Sequence, residues 1–191
     1  MKNPIVTFTM GSGAKIVCEL LCSDAPNTVN SFLYLAGLGC YDNYSIQRIV
    51  PGSWIDVSYS ALGRKEARYF VKNEAHGQNI PIEKGLMCMG GYNEDDIAGG
   101  EIFFPLRDCP DLTGHYPAVG RVLSGMEELE RLEKVETYPV VIPSMPSVKI
   151  NTPVKPETIV SVKVETFGET YPDPEKKKAD PLPEKWAELD S

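Results

Sequence analysis

The sequence predicts a mainly β fold, an antiparallel sandwich or barrel that carries two helices at opposite ends of one domain. Three observations support this. Short runs of strand composition recur along the chain, at residues 4–9, 14–21, 44–50, 53–58, 68–72, 86–89, 101–106, 118–123 and 157–167. Only two segments show helical periodicity. No strand–helix–strand rhythm occurs, which excludes a parallel nucleotide-binding sheet.

The first two runs, PIVTFT and AKIVCELL, are joined by Met10-Gly11-Ser12-Gly13, which has turn composition and predicts a hairpin. Ser23-Asp24-Ala25-Pro26 then predicts a helix start, with Asp24 as the N-cap and Pro26 in the first turn. Val29, Phe32, Leu33 and Ala36 give that helix one apolar face, and Gly37 and Gly39 end it. Ser124 and Glu127 have capping-box spacing and predict a second, shorter helix carrying Met126, Leu129 and Leu132. The last run alternates along its length, with Ile159, Ser161, Lys163 and Glu165 on one parity and Val160, Val162, Val164 and Thr166 on the other.

The 191 residues suffice for a single core. Nine of the 16 prolines lie at or after Pro139. Residues 137–156 hold five of them and read as an extended connection within the domain, because a strand follows. The expected organisation is a barrel domain over residues 1–170 and a proline-rich charged tail over 171–191, of which 171–184 read as solvated. The net charge of −8 argues against nucleic acid or an anionic membrane surface as the partner. No run is long enough to span a bilayer, and the N-terminal residues lack a signal-peptide apolar stretch. Five cysteines include no C-x-x-C pair and read as reduced, buried thiols. A cytoplasmic location is expected, with a monomer favoured.

Motifs for phosphate, dinucleotide, serine-hydrolase or zinc-protease chemistry are absent from the sequence. Glu94-Asp95-Asp96 is acidic but lacks the alternating ligand pattern of a calcium loop, and neither a metal nor a cofactor is expected. One hairpin is more informative. Pro51-Gly52-Ser53 is a turn signal, and a turn centred on Gly52 puts Arg48 opposite Asp56 on one face. From the residues alone this is either a surface cross-strand ion pair or an arginine presented on a rigid sheet beside an apolar patch. Phe103, Trp54 and Tyr116 have two readings in the same way, as core, barrel-end or loop aromatics or as pocket walls.

The order of these elements resembles the cyclophilin family of peptidyl-prolyl isomerases over roughly residues 4–167. The resemblance rests on K-I-V-C-E-L, D-A-P-N-T-V-N-S-F and I-Q-R-I-V-P-G, followed in the family's order by K-G-L-M-C-M at 84–89, E-I-F-F at 101–104 and A-V-G-R-V at 118–122. It implies a closed eight-stranded antiparallel β-barrel capped by two helices. It also implies isomerisation of X-Pro bonds in peptides or unfolded chains, without a cofactor, with Arg48 as the catalytic arginine. Phe103 matches the phenylalanine that floors the proline pocket, Leu112 a leucine of its wall, and Met89 the start of the backbone stretch that binds peptide.

Several matched positions depart from the family pattern. Gly90-Gly91 stands for Ala-Asn, Trp54 for methionine, Ser53 for an aromatic, and Tyr116 for histidine. Asp111 stands for the tryptophan that contacts cyclosporin in sensitive members, which implies weak or no inhibition. Val57-Ser58 stands for a glycine pair. Asp56 stands for glutamine and can only accept hydrogen bonds, so it either orients Arg48 or occupies the donors that substrate needs. These departures imply reduced or retuned isomerase activity; the alternative is a proline-peptide binding module without catalysis.

Overall fold

A computed structural model describes residues 2–57, 61–92, 96–141 and 149–178 of the chain. β1 (Ile5–Met10) and β2 (Lys15–Leu20) form the predicted hairpin, with Gly13 at φ +87° in its turn, a conformation glycine adopts without steric cost. Period-two alternation sends Val6, Phe8, Met10, Ile16, Cys18 and Leu20 inward.

α1 (Pro26–Gly37) buries Val29, Phe32, Leu35 and Ala36. Its N-terminus differs from the sequence expectation. Asp24 does not cap it; its carboxylate accepts from the Ser23 hydroxyl instead. The free helix amides go to Glu74, which accepts from Asn27 N at 3.2 Å and from Thr28 N at 2.7 Å. A capping carboxylate delivered from 46 positions along the chain satisfies the same orphan donors as a local cap. α2 (Met126–Leu132) likewise starts at Gly125, φ +95°, without a side-chain cap, because Ser124 ends the preceding strand. Gly125 is required there: a Cβ would lie 2.3 Å from the Lys15 carbonyl oxygen.

The remaining strands are β3 (Tyr44–Ser45), β4 (Arg48–Val50), β5 (Trp54–Asp56), β6 (Tyr69–Lys72), β7 (Leu86–Tyr92), β8 (Ile97–Pro105), β9 (Ala118–Ser124), β10 (Thr137–Val141), β11 (Lys149–Pro153), β12 (Thr158–Glu165) and β13 (Lys177–Lys178). One curled, mainly antiparallel sheet runs β13-β6-β8-β7-β9-β2-β1-β12-β3, with β5 also paired to β8 and β4 to β5. Its path among the described residues starts and ends on two-residue strands, β13 and β3, that do not pair with each other. Among the described residues the eleven strands form a curled, mainly antiparallel half-barrel whose strand path does not itself close into a ring. Phe8, Ile55, Phe104 and Ile159, from β1, β5, β8 and β12, nevertheless line one shared interior space.

Two local surprises have plain causes. In β12 the register against β1 shifts, pairing Thr9 with Ser161 but Met10 with Ile159. The bulge leaves Val160 outside, so Ile159 and Val162 are both buried although they differ in parity. Within residues 137–156, β10 and β11 pair antiparallel as a separate two-stranded sheet. Pro139 faces Asn151 and Pro153 faces Thr137, while Val154 N bonds Glu136 O at 2.9 Å. Both prolines thus fall at the parity whose N–H groups the ladder does not use. Glu94, Asp95, Ser58 and residues 179–191 lie outside the described residues.

The interior has two parts. A main core is shared by the strands, α1 and α2. A smaller cluster gathers Ile82, Leu86, Cys88, Phe103, Cys109 and Ala118, with Trp54, Leu112 and Tyr116 packed against it. Strand alternation divides the two: Ile102 and Phe104 face the main core and Phe103 the smaller cluster.

Candidate active site

The β4–β5 hairpin forms with its centre at Gly52, φ +71°, and the register Arg48↔Asp56, Ile49↔Ile55 and Val50↔Trp54. Its middle pair is fully buried, which turns Arg48, Asp56 and Trp54 to the opposite face. Three contacts hold it rigid. Pairing of Ile55 with Phe104 joins it to β8, Gly52 N donates to Glu133 Oε1 at 2.7 Å, and Thr152 Oγ1 donates to Gln47 O at 2.9 Å.

On that face Arg48 Nη1 donates to Asp56 Oδ2 at 2.8 Å, with side chains 19% and 15% exposed. The guanidinium carbon also lies 5.7 Å from the Trp54 ring centroid, within cation–π range. Asp56 is opposite Phe103 across the β5–β8 pair. Trp54 meets Phe103 edge-on at 6.4 Å, and Tyr116 meets its other side at 5.4 Å and 86°. Leu112 packs against the same cluster from the 3-10 turn Pro110–Leu112.

Electrostatics follow from this partial burial. Burial pushes the Asp56 carboxyl up to about 6; Arg48 opposes the rise, Glu101 adds to it, and hydrogen bonds from Arg48 and Trp54 oppose it. Burial also raises the Tyr116 hydroxyl, with Asp56 raising it further and Arg48 lowering it. Tyr116 therefore shares the field of the Arg48–Asp56 pair, at the face where Phe103 lies.

These elements, in this order, coincide with a known family. A family model described as cyclophilin type peptidyl-prolyl cis-trans isomerase/CLD matches residues 5–164. The chain belongs to the cyclophilin family.

Among cyclophilin relatives, peptidyl-prolyl cis-trans isomerase B of Bacillus subtilis is 34% identical over 125 residues, covering 63% of this chain and 84% of that protein. Peptidyl-prolyl cis-trans isomerase-like 2 of Cryptococcus neoformans is 29% identical over 127 residues, covering 63% of this chain but 22% of its own length. The chain thus spans under a quarter of that fungal relative. A crystal structure of a Cryptosporidium parvum cyclophilin type isomerase shares the fold, with a TM-score of 0.67 at 20% identity, over 86% of this chain and 98% of the other. A second structure of that protein, in the presence of the dipeptide Ala-Pro, superposes with the same TM-score at 21% identity, over 85% and 99%.

In this cyclophilin, Arg48, Asp56, Trp54, Phe103, Leu112 and Tyr116 gather on one face. Met89, Gly90 and Gly91 lie on β7. The Met89 side chain is fully buried in the main core, and its N–H is already bonded to Pro117 O at 2.9 Å. Gly90 and Gly91 lie where the β7–β8 register shifts, and a Cβ on Gly91 would lie 2.5 Å from the Ile97 carbonyl oxygen. Phe103 is 5% exposed, so the rings of Trp54 and Tyr116 cover it rather than leaving an open cup. Asp111 is exposed on the turn beside Leu112. Ser53 accepts from Arg107 Nη2 at 3.4 Å.

Two contributors lie beyond what the sequence reading found. Glu133 fixes the hairpin turn from 81 positions away, and Glu101 acts on Asp56 from β8. Nothing local in the sequence signals the first. Glu101 opens the E-I-F-F motif and stands two residues before Phe103, a parity that puts it on the Phe103 side of β8.

Proposed function

We propose that this cyclophilin is a peptidyl-prolyl isomerase acting on X-Pro bonds in peptides or unfolded chains, and so assists folding. The observation that carries the reading is Arg48 held on a rigid hairpin beside the Phe103–Tyr116–Trp54 cluster. Rotation about a peptide bond faces a barrier of about 18–20 kcal/mol, because the amide C–N has partial double-bond character. No covalent step is needed. A guanidinium N–H aimed at the prolyl nitrogen draws its lone pair out of resonance, and an apolar surface favours the less charge-separated twisted amide. Both stabilise the transition state through preorganised groups.

In this reading Arg48 is the donor, and Trp54, Phe103, Leu112 and Tyr116 contact the proline ring and its neighbours. Asp56 positions Arg48, and backbone of the Met89–Gly91 stretch receives the peptide chain. The Ala-Pro dipeptide named with the Cryptosporidium structure supports a proline-bearing ligand. We read residues 1–170 as the working domain, with its curled sheet acting as an eight-stranded barrel wall closed by side-chain packing, and residues 171–191 as a tail. All five cysteines are free, which supports a reducing compartment such as the cytoplasm, and a monomer is favoured.

The alternative, a proline-peptide binding module, is favoured by Asp56 occupying a guanidinium N–H and by the covered Phe103. Exchange NMR on an Ala-Pro peptide with the protein added separates the two. Exchange cross-peaks between cis and trans forms are expected. Shifts at Phe103 and Arg48 without exchange would establish the binding module instead.

A further inference from the structure

The end of the described chain docks on the body through four distinct contacts. Pro174 is buried. Asn27, in the first turn of α1, clamps the Glu175 backbone from both sides: Glu175 N donates to Asn27 Oδ1 at 2.8 Å, and Asn27 Nδ2 donates to Glu175 O at 3.2 Å. The Lys176 ammonium lies 3.7 Å from the Tyr34 ring centroid and 4.7 Å from that of Tyr69. Lys177 and Lys178 then pair antiparallel with Phe70 and Tyr69 on the outer edge of β6.

The receiving surface is built for this. Tyr34 and Tyr69 stand edge to face at 6.3 Å and 75°, presenting two ring surfaces to one cation. The Tyr69 hydroxyl is fixed against fully buried Ser31 at 2.9 Å. An open strand edge offers unpaired N–H and C=O groups to any extended chain, while side-chain contacts decide which chain it takes. Here the readout is a buried proline, a residue recognised only by its backbone, and a lysine.

We propose that the outer edge of β6, with Asn27, Tyr34 and Tyr69, is a second peptide-binding site, separate from the Arg48 face. It takes extended segments of the pattern Pro-x-Lys from other polypeptides and is held closed in cis by residues 174–178. Only nine residues separate the end of β12 at Glu165 from Glu175, so tethering supplies the tail at an effective concentration on the order of millimolar. A free peptide at micromolar concentration competes poorly until the tail is weakened or modified. Acetylation of Lys176 would do so, by removing the charge the two rings attract.

The test uses the full chain and a labelled peptide of residues 171–180, followed by fluorescence anisotropy. Lys176→Glu weakens the tethered tail, and the peptide is expected to bind that chain saturably, at least about tenfold more tightly than the wild-type chain. Replacing Lys176 by norleucine in the peptide keeps Lys177 and Lys178 and is expected to weaken binding at least about fivefold. Tyr34→Leu in the Lys176→Glu chain keeps apolar volume and is expected to have the same effect. No binding to the Lys176→Glu chain, equal binding to both chains, or indifference to norleucine would each overturn the proposal.

Discussion

Asp56 Oδ2 lies 2.8 Å from Arg48 Nη1 across the β4–β5 pair, so the proposed catalytic cation is held by a carboxylate where the family pattern has an amide. A glutamine could share a hydrogen bond without charge; a carboxylate adds a Coulomb attraction that substrate must compete with. In the proposed mechanism Asp56 both orients Arg48 and restrains it.

A pH dependence follows. The Asp56 carboxyl is raised to about 6 by burial, against an ordinary value of 3.8. The native state then binds this proton more readily than the unfolded chain. Its contribution to stability is greatest below about pH 4, falls as pH rises towards 6, and is flat above. Relative to wild type, Asp56→Asn should gain stability as pH rises from about 4 to 7, measured by urea unfolding. An uncoupled peptide assay should show the wild-type rate increasing as pH falls through about 6, where Arg48 is released, with no such limb in Asp56→Asn. Parallel pH profiles for the two proteins would remove Asp56 as the restraint.

The hairpin and its Arg48–Asp56 register were legible in the sequence because a turn centred on Gly52 fixes every pair along it. The aromatic cluster was legible only through the family resemblance, since Phe103, Trp54, Leu112 and Tyr116 come from three separate segments. What escaped was non-local. The cap on α1 comes from Glu74, and the tail is held by Asn27. The prolines of residues 137–156 gave no sign of pairing within that connection, because Pro139 and Pro153 occupy ladder positions that need no N–H. The bulge at Val160 could not be read from an alternating run, because both parities of 157–167 contain β-branched residues.

The two glycines after Met89 should respond differently to a methyl group. A Cβ at Gly91 meets Ile97 O at 2.5 Å and Ala98 Cα at 2.7 Å, both backbone, whereas at Gly90 the nearest atoms, on Glu101, lie at 3.2 Å. Gly91→Ala is expected to cost about 1–3 kcal/mol and Gly90→Ala less than about 1 kcal/mol. Equal thermal midpoints for the two variants would show that β8 yields freely at this register shift.

Arg131 joins α2 to the approach to β12. It donates to Glu128 Oε2 at 2.8 Å and to Glu157 Oε2 at 2.6 Å, and Glu128 also accepts from Ser12 at 2.7 Å. Glu128 is 4% exposed and its carboxyl lies below the usual range, chiefly through the Arg131 hydrogen bonds. Arg131→Met leaves that buried carboxylate without its cation and should cost about 2 kcal/mol in urea unfolding. Adding Glu128→Gln should recover part of that loss; no recovery would mean Arg131 contributes by packing rather than charge.

The central claim is that Arg48 supplies the rate. Kinetics of Arg48→Ala and Arg48→Lys on an Ala-Pro peptide, in a protease-coupled assay with circular dichroism confirming the fold, test it most directly. The account predicts a fall in kcat/KM of about 10²–10³-fold for Arg48→Ala, carried by kcat, and only partial recovery with lysine, whose single ammonium cannot hold Asp56 and face the prolyl nitrogen in the same fork. Wild type and Arg48→Ala isomerising the peptide at the same rate would contradict it.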